Sequence, residues 1–192
     1  MTRHDVPWPG KQIQYRMHPG NVPVLDAAAI DCCVLANNHV LDWSREGLAE
    51  TLATLHGDGV ATAGAGADLA AAQAPAVLPV RNGRRVRVFA AATGDSGVPL
   101  PWAATSSRSG VHLLPDLSVA TVAGVAERVR AHRHAGDLVV FSIHWGGNWD
   151  YAVGAAERAF AHALIDEAGV DVVHGHSSHH AKGIEVHRGR PI

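Results

Sequence analysis

Lysine, cysteine and long apolar runs are all scarce in this chain of 192 residues. Lys11 and Lys182 are its only lysines, and no basic stripe runs along the sequence, so a nucleic-acid partner is not expected. No apolar run approaches the roughly 20 residues that span a bilayer, and residues 1–20 are polar and proline-rich, unlike a signal peptide. We therefore expect no transmembrane segment and a cytoplasmic location.

The two cysteines, Cys32 and Cys33, are adjacent within an apolar run. Neighbouring residues of a strand point to opposite faces, so we expect no disulfide between them. Both should behave as small buried apolar side chains. A chain of this length can bury a core without disulfides, and it favours a single domain over residues 1–192.

Histidine, in contrast, is abundant, with 14 residues in the chain and five of them between His174 and His187. Imidazole is the commonest metal ligand among side chains and titrates nearest to neutral pH. The excess of histidine is the first indication of a functional site.

Apolar runs of strand length alternate with helical patterns along the chain. The runs at 30–36, 137–143 and 170–173 predict buried strands, and the patterns at 21–29, 119–134 and 155–168 predict helices. Ser44 is expected to cap a further helix that ends near Gly57, Asn82-Gly83 predicts a hairpin turn, and residues 183–186 predict a last strand. The alternation predicts an α/β fold with a mostly parallel sheet covered on both faces.

Polar residues follow three of the predicted strands. The first strand is followed by Asn37, Asn38 and His39, the second by His144, and the third by the histidine-rich residues 174–180. Ligand sites of open α/β sheets form beyond the carboxyl ends of the strands, so we expect these three segments to converge. Imidazole nitrogens and an amide oxygen suit a divalent metal ion, and a histidine beside the metal can act as acid or base.

Each of these residues also has a plainer interpretation. His39 could cap a helix or face solvent, and His144 could pack in the core. The tract from His176 to His180 could be a surface segment with adventitious affinity for metals. The sequence alone leaves these alternatives open.

Four motifs in order resemble the CapA family of capsule and poly-γ-glutamate biosynthesis proteins, within the calcineurin-like metallophosphatase superfamily. The resemblance covers about residues 15–192 and is carried by the following segments: Leu35-Ala36-Asn37-Asn38-His39 with Asp42 and Trp43; Gly64-Ala65-Gly66 with residues 72–75; His144-Trp145-Gly146; and residues 171–176 with 183–185.

The resemblance implies a metallophosphatase-like layered sandwich, with mostly parallel central sheets flanked by helices. It implies divalent metal ions (Mn, Fe or Zn) and a catalytic role for His39 and Asp42. The metal ligands that it implies are Asn38, His144, His176 and His179. His180 is an extra neighbour, so the choice among His176, His179 and His180 stays open.

The chain also departs from the family pattern. The family has a Gly-Asp strand and an Asn-Leu-Glu segment before the matched region and a Gly-Asp-Phe segment after it, so the resemblance implies a domain that is incomplete at both termini. The family's glutamate after His-Trp-Gly is missing here, and Asp150 is the closest acidic substitute.

The function that the resemblance implies is hydrolysis of a phosphoester or related envelope substrate, either a small molecule or a polymer or peptide. Two alternatives remain, which are a truncated, non-catalytic domain that binds a metal or a partner, and a metal-dependent peptide epimerase. A dinucleotide-binding domain is disfavoured, because Gly64-Ala65-Gly66 is only part of that fingerprint.

Overall fold

The computed structural model describes all 192 residues and contains five α-helices and ten strands. The helices are α1 (Pro23–Ala27), α2 (Ser44–Gly57), α3 (Leu69–Gln73), α4 (Val119–His132) and α5 (Ala155–Asp166). The strands are β1 (Cys32–Val34), β2 (Ala61–Ala63), β3 (Ala65–Gly66), β4 (Ala76–Pro79), β5 (Arg85–Ala92), β6 (Gly110–Val111), β7 (Leu138–His144), β8 (Val172–His176), β9 (Val186–His187) and β10 (Arg190–Pro191).

The largest sheet has four strands in the order β4-β5-β7-β8. Its three strands β5, β7 and β8 are parallel, and β4 joins β5 as an antiparallel edge strand. Three two-stranded sheets complete the fold, with β1 and β2 parallel and the pairs β3–β6 and β9–β10 antiparallel. The mixed α/β class expected from the sequence is confirmed, and so are the parallel pairings between its long apolar strands.

Two hydrophobic cores lie against opposite faces of the four-stranded sheet. Phe89 and Phe141 point into a core that α4 and α5 cover, whereas Val88 and Ala90 point into a core shared with α2 and the β1–β2 sheet. Successive side chains of a strand point to opposite faces, so a strand buried on both sides must be apolar throughout. This explains the apolar run of residues 88–92 in β5.

The predicted hairpin between β4 and β5 is present. Asn82 and Gly83 both adopt positive φ angles, 65° and 73°, which suit the turn that reverses two antiparallel strands. The register pairs Pro79 with Arg85 and Ala76 with Val88. Asparagine and glycine tolerate this conformation better than other residues, which is why the dipeptide was informative.

Three local predictions are wrong. In each case a contact with another segment of the chain sets the local conformation. Ser44 does not cap α2; it is the first helical residue, with φ 65°, and its hydroxyl donates to the Val6 carbonyl. The glycines at 64 and 66 predict a turn, but Ala65–Gly66 pair with β6 as a strand. The last strand begins at Val186 instead of 183 and forms a hairpin with β10.

The two cysteines carry no disulfide, as expected, but they are only partly buried. Burial, reinforced by the neighbouring Cys33, raises the pKa of the Cys32 thiol to about 11. Both side chains pack against the core on the α2 side of the sheet. Their role is therefore packing, as predicted, though at the rim of the core.

None of the five helices combines the length and the apolar character needed to cross a bilayer.

The buried His112 makes stability depend on pH. Burial lowers its pKa to about 4, from an ordinary value of 6.5, while its Nδ1 bonds the Ala90 carbonyl at 2.9 Å. The unfolded chain takes up this proton at a higher pH than the folded chain, so the free energy of unfolding should fall as the pH drops from 6.5 towards 4. At pH near 5, His112 alone should account for about 2 kcal/mol of that loss.

Urea unfolding of the protein and of a His112→Gln variant, near pH 7 and near pH 5, would measure this loss. The variant should lose about 2 kcal/mol less between the two pH values than the parent. His134→Gln is the matched control, because His134 is exposed and should leave the pH dependence unchanged. Identical pH dependence in the parent and in His112→Gln would contradict the assignment.

Candidate functional site

The parallel register of β7 and β8 places two histidines side by side. His144 ends β7, His176 ends β8, and the two are direct register partners. Register partners of neighbouring strands project to the same face, so the rings lie together with 3.3 Å between their Nδ1 atoms. Both residues were expected to lie after the ends of their strands, but the hydrogen-bonded strands β7 and β8 include them.

Both rings of this histidine pair are poised to stay neutral. Burial lowers the pKa of His144 to about 4, and the nearby charge of His39 acts in the same direction. Burial likewise lowers the pKa of His176 to about 4, followed by the effects of His144 and His174. The Nε2 atoms of His144 and His176 are buried and have no hydrogen-bond partner.

Unpartnered nitrogens of neutral imidazoles are the donors that a divalent transition metal takes. The pair therefore fits part of a metal site. No group of three or more histidine, cysteine, aspartate or glutamate side chains is arranged to hold a metal ion. A metal ion bound to the pair would need further ligands of another kind, and Asn38 is the amide that the sequence resemblance implies for that role.

A buried carboxylate orients His39. The side chain of Asp42 is fully buried, and its Oδ2 lies 2.8 Å from His39 Nδ1. The same oxygen accepts a 2.8 Å hydrogen bond from the Tyr15 backbone, and Lys11 Nζ lies 3.2 Å from Oδ1. The short contact to the carboxylate assigns the proton of His39 to Nδ1, which leaves Nε2 as the atom that can exchange a proton with a ligand.

The two asparagines in the loop after β1 make different contacts. The Asn37 side chain accepts a 2.8 Å hydrogen bond from the His39 backbone and so fixes the loop. Asn38 instead turns its amide towards Gly97, whose φ is +80°. A Cβ at Gly97 would lie 3.3 Å from Asn38 Nδ2, so glycine serves both the backbone conformation and the close approach.

One open cleft of about 660 Å³ brings several predicted residues together. Asn38, His39 and His179 all line it, and His179 is held there by a 2.9 Å hydrogen bond from its backbone N–H to the Asn148 carbonyl. Asp42 does not line the cleft; it is buried behind His39, and its carboxylate contacts the His39 ring.

His180 belongs to a different cavity. It lines a pocket of about 290 Å³ together with His174, His176 and Lys182, and it does not reach the cleft of His39. Its ring lies against the exposed Trp149 and Tyr151. Of the three histidines left open by the sequence, His176 pairs with His144, His179 faces the cleft and His180 faces away from it.

The acidic substitute proposed for the missing glutamate does not reach the cleft. Asp150 is exposed, and its carboxylate accepts a 3.0 Å hydrogen bond from the Ala152 backbone. Its φ of 94° is an uncommon conformation for a residue other than glycine. Asp150 therefore shapes its own loop.

Two residues of the N-terminal segment were missed by sequence reasoning. Lys11 and Tyr15 both line the cleft, and the Tyr15 ring meets His39 edge to face at 4.5 Å. The sequence indicated only an irregular segment there. The scarcity of lysine was the one available signal, because Lys11 is one of only two lysines in the chain.

Comparison with known proteins gives a consistent family. The family described as bacterial capsule synthesis protein PGA_cap matches residues 1–192. A probable polyglutamine synthesis accessory protein of Mycobacterium tuberculosis is 51% identical over 183 residues, which cover 95% of this chain and 48% of that protein. The PGA biosynthesis protein CapA of Bacillus subtilis is 30% identical over 182 residues, which cover 95% of this chain and 45% of that protein.

A capsule biosynthesis protein CapA of Bacillus anthracis is 24% identical over 178 residues, with 93% of this chain and 42% of that protein covered. The chain therefore spans about half the length of the known relatives that it matches.

Removal of the Asp42 carboxylate should destabilise the fold and release His39. Asp42→Ala leaves Lys11 and the Tyr15 N–H without their acceptor, so we expect a loss of about 3 kcal/mol in the free energy of unfolding. Asp42→Asn keeps one acceptor oxygen and should cost about half as much.

Denaturant unfolding of both variants measures these losses, with Asp5→Ala as the control because Asp5 is exposed. The control should change stability by less than about 0.5 kcal/mol. If Asp42→Ala were as mild as the control, the carboxylate would not be what positions His39.

Proposed function

The chain belongs to the bacterial capsule synthesis protein (PGA_cap) family, and from that premise we propose that it serves the synthesis of a polyglutamate-type polymer through a metal-dependent hydrolytic site. The family was predicted from the motifs, and that prediction is confirmed. The substrate of the site is a phosphoester or a related bond of an envelope polymer, in small-molecule or polymeric form. A metallophosphatase-like layered arrangement is part of this proposal, since a sheet with a core on each face is compatible with it.

One observation carries the proposal, which is that His39 stands in an open cleft and is held there by a fully buried carboxylate. An orienting carboxylate on one ring nitrogen commits the other nitrogen to proton transfer. In its doubly protonated form, with Nδ1–H facing Asp42, His39 would give its Nε2 proton to the leaving oxygen of the substrate. Asp42 would hold the ring and stabilise the charged form, without contacting the substrate itself.

The residues proposed as metal ligands are His144 and His176, which lie together, and Asn38 and His179, which line the cleft and would have to move closer for all three histidines to bind one ion. The unpartnered Nε2 atoms of His144 and His176 are the main support, since a buried nitrogen without a partner costs about 1–3 kcal/mol unless something binds it. A divalent ion bound there would lower the pKa of a coordinated water and polarise the scissile bond.

Lys11 supplies the positive charge of the cleft. Its ammonium contacts Asp42 at 3.2 Å and has further donors available, and its side chain is 15% exposed. A phosphate or carboxylate in the cleft would meet this ammonium beside His39. The polar wall opposite, at Asn148 and His179, would orient such a group.

Metal content and turnover test the proposal together. The chain would be purified without a histidine tag, reconstituted with manganese, zinc or iron, and analysed by mass spectrometry beside a His39→Ala/His176→Ala variant. We expect about one or more equivalents of metal in the parent and a clear loss in the variant. Hydrolysis of an aryl phosphate and of a γ-glutamyl oligomer would be followed in parallel.

Asp42→Asn should then lower kcat by about 10²- to 10⁴-fold while metal content is retained, because His39 loses the group that orients it. His134→Ala is the control for metal content, since it removes an exposed histidine. No bound metal and no turnover in the parent would overturn the proposal and leave a non-catalytic binding domain. Exchange of substrate Cα hydrogens with deuterated water, without hydrolysis, would instead favour the epimerase.

A further inference from the structure

An unneutralised cluster of arginines lies at the tip of the β4–β5 hairpin. Residues 80–85 are exposed and include Arg81, Arg84 and Arg85. None of the three forms an ion pair with a carboxylate, and the sequence has no acidic residue between Asp68 and Asp95. The whole chain carries a formal net charge of −2, so this tip is a local excess of positive charge.

The acidic groups nearest to the tip are already engaged. Arg84 Nε donates a 3.0 Å hydrogen bond to the Gly136 carbonyl, which places the hairpin beside the turn before β7. In that turn Asp137 is buried and bonded to Arg87. Asp171, at the start of the next strand, is paired with Arg133 at 3.2 Å. Neither of these carboxylates is therefore free to neutralise the three exposed arginines.

The hairpin is remote from the histidine cleft. It joins the amino end of β5, whereas His144 and the cleft lie at the carboxyl ends of the parallel strands. The eight residues of β5 separate the two regions by about 25 Å at roughly 3.3 Å per residue. A function for these arginines must therefore be distinct from the chemistry of the cleft.

We propose that the basic hairpin, residues 80–85, binds a polycarboxylate chain, namely the anionic polyglutamate form of the polymer. Guanidinium groups match carboxylates in charge and in geometry, and they bind them in a bidentate manner. Single exposed ion pairs contribute little, so a ligand must bring several carboxylates at once, as a polymer does. This inference rests on the proposed role in polymer synthesis, but it does not require the hydrolytic step.

The charge distinguishes between two polymers. The relatives include a protein named for polyglutamine synthesis and another named for PGA biosynthesis. Polyglutamine is neutral and offers nothing to three unpaired arginines, whereas each residue of polyglutamate carries a carboxylate. The hairpin therefore favours the anionic polymer.

An anionic membrane is a weaker candidate for the same surface. Val77, Val80 and Leu138 lie near the hairpin and are 42%, 42% and 39% exposed. Recognition of anionic lipids usually takes about four to eight basic residues beside an apolar segment. Three arginines with half-exposed aliphatic neighbours fall short of that, whereas they suit a flexible polyanion.

Fluorescence anisotropy of labelled oligo-γ-glutamate tests the proposal on the whole chain. The triple variant Arg81→Ala/Arg84→Ala/Arg85→Ala should bind about 10- to 100-fold more weakly, and binding by the parent should weaken as salt rises. A γ-linked isoglutamine oligomer of equal length, in which each α-carboxylate is replaced by a neutral carboxamide, should bind the parent poorly. The triple variant should keep the metal content of the parent, because the hairpin is remote from the cleft.

A second triple variant, Arg3→Ala/Arg158→Ala/Arg188→Ala, controls for net charge. It removes the same number of charges, but each of these arginines is paired with a carboxylate, of Glu50, Glu185 or Asp166. Its affinity for oligo-γ-glutamate should stay within about twofold of the parent.

Three results would overturn the proposal: equal weakening in both triple variants, equal affinity for the isoglutamine and glutamate oligomers, or hairpin-dependent binding to phosphatidylserine vesicles without binding to the oligomer. Hairpin-dependent binding of oligo-γ-glutamate by a chain that hydrolyses nothing would support it and overturn only the hydrolytic function.

Discussion

The in-register parallel pairing of β7 and β8 is the constraint on which the site depends. A shift of one residue in either strand would send one of His144 and His176 to the opposite face of the sheet. The register is fixed by burial on both sides, because Phe141 and Val173 must point into the core under α4 and α5. The same apolar packing that stabilises the sheet therefore sets the 3.3 Å spacing of the two imidazoles.

His39, the other part of the site, is held by hydrogen bonds and charge contacts instead of by packing within a sheet. His39 lies in a loop, and loops have no ladder of hydrogen bonds to fix them. Asp42 takes that role, since its buried carboxylate contacts the His39 ring, the Tyr15 backbone and the Lys11 ammonium. An N-terminal segment without regular structure thereby becomes part of the wall of the cleft.

The sequence predicted what depends on local pattern and missed what depends on distant partners. The longer strands, the main helices and the Asn82-Gly83 turn follow from periodicity and turn chemistry, and the motifs led to the correct family. The role of Ser44 was mispredicted because its hydroxyl meets the carbonyl of Val6, far away in sequence. His179 and His180 are adjacent, and only the path of the backbone shows that they face different cavities. The metal ligands and the hydrolytic chemistry stay predictions.

The contrast between His112 and the pair at His144 and His176 separates a histidine that the fold satisfies from two histidines whose ring nitrogens stay open to a ligand. All three are held neutral by burial, and the pKa of each falls to about 4. His112 bonds the Ala90 carbonyl and leaves no buried ring nitrogen without a partner. The pair leaves two such nitrogens, at a cost of about 1–3 kcal/mol each in a fold where the neighbouring positions are well packed. A buried nitrogen left without a partner, where packing does not require it, is typical of a ligand site, because a bound ligand removes the energetic cost.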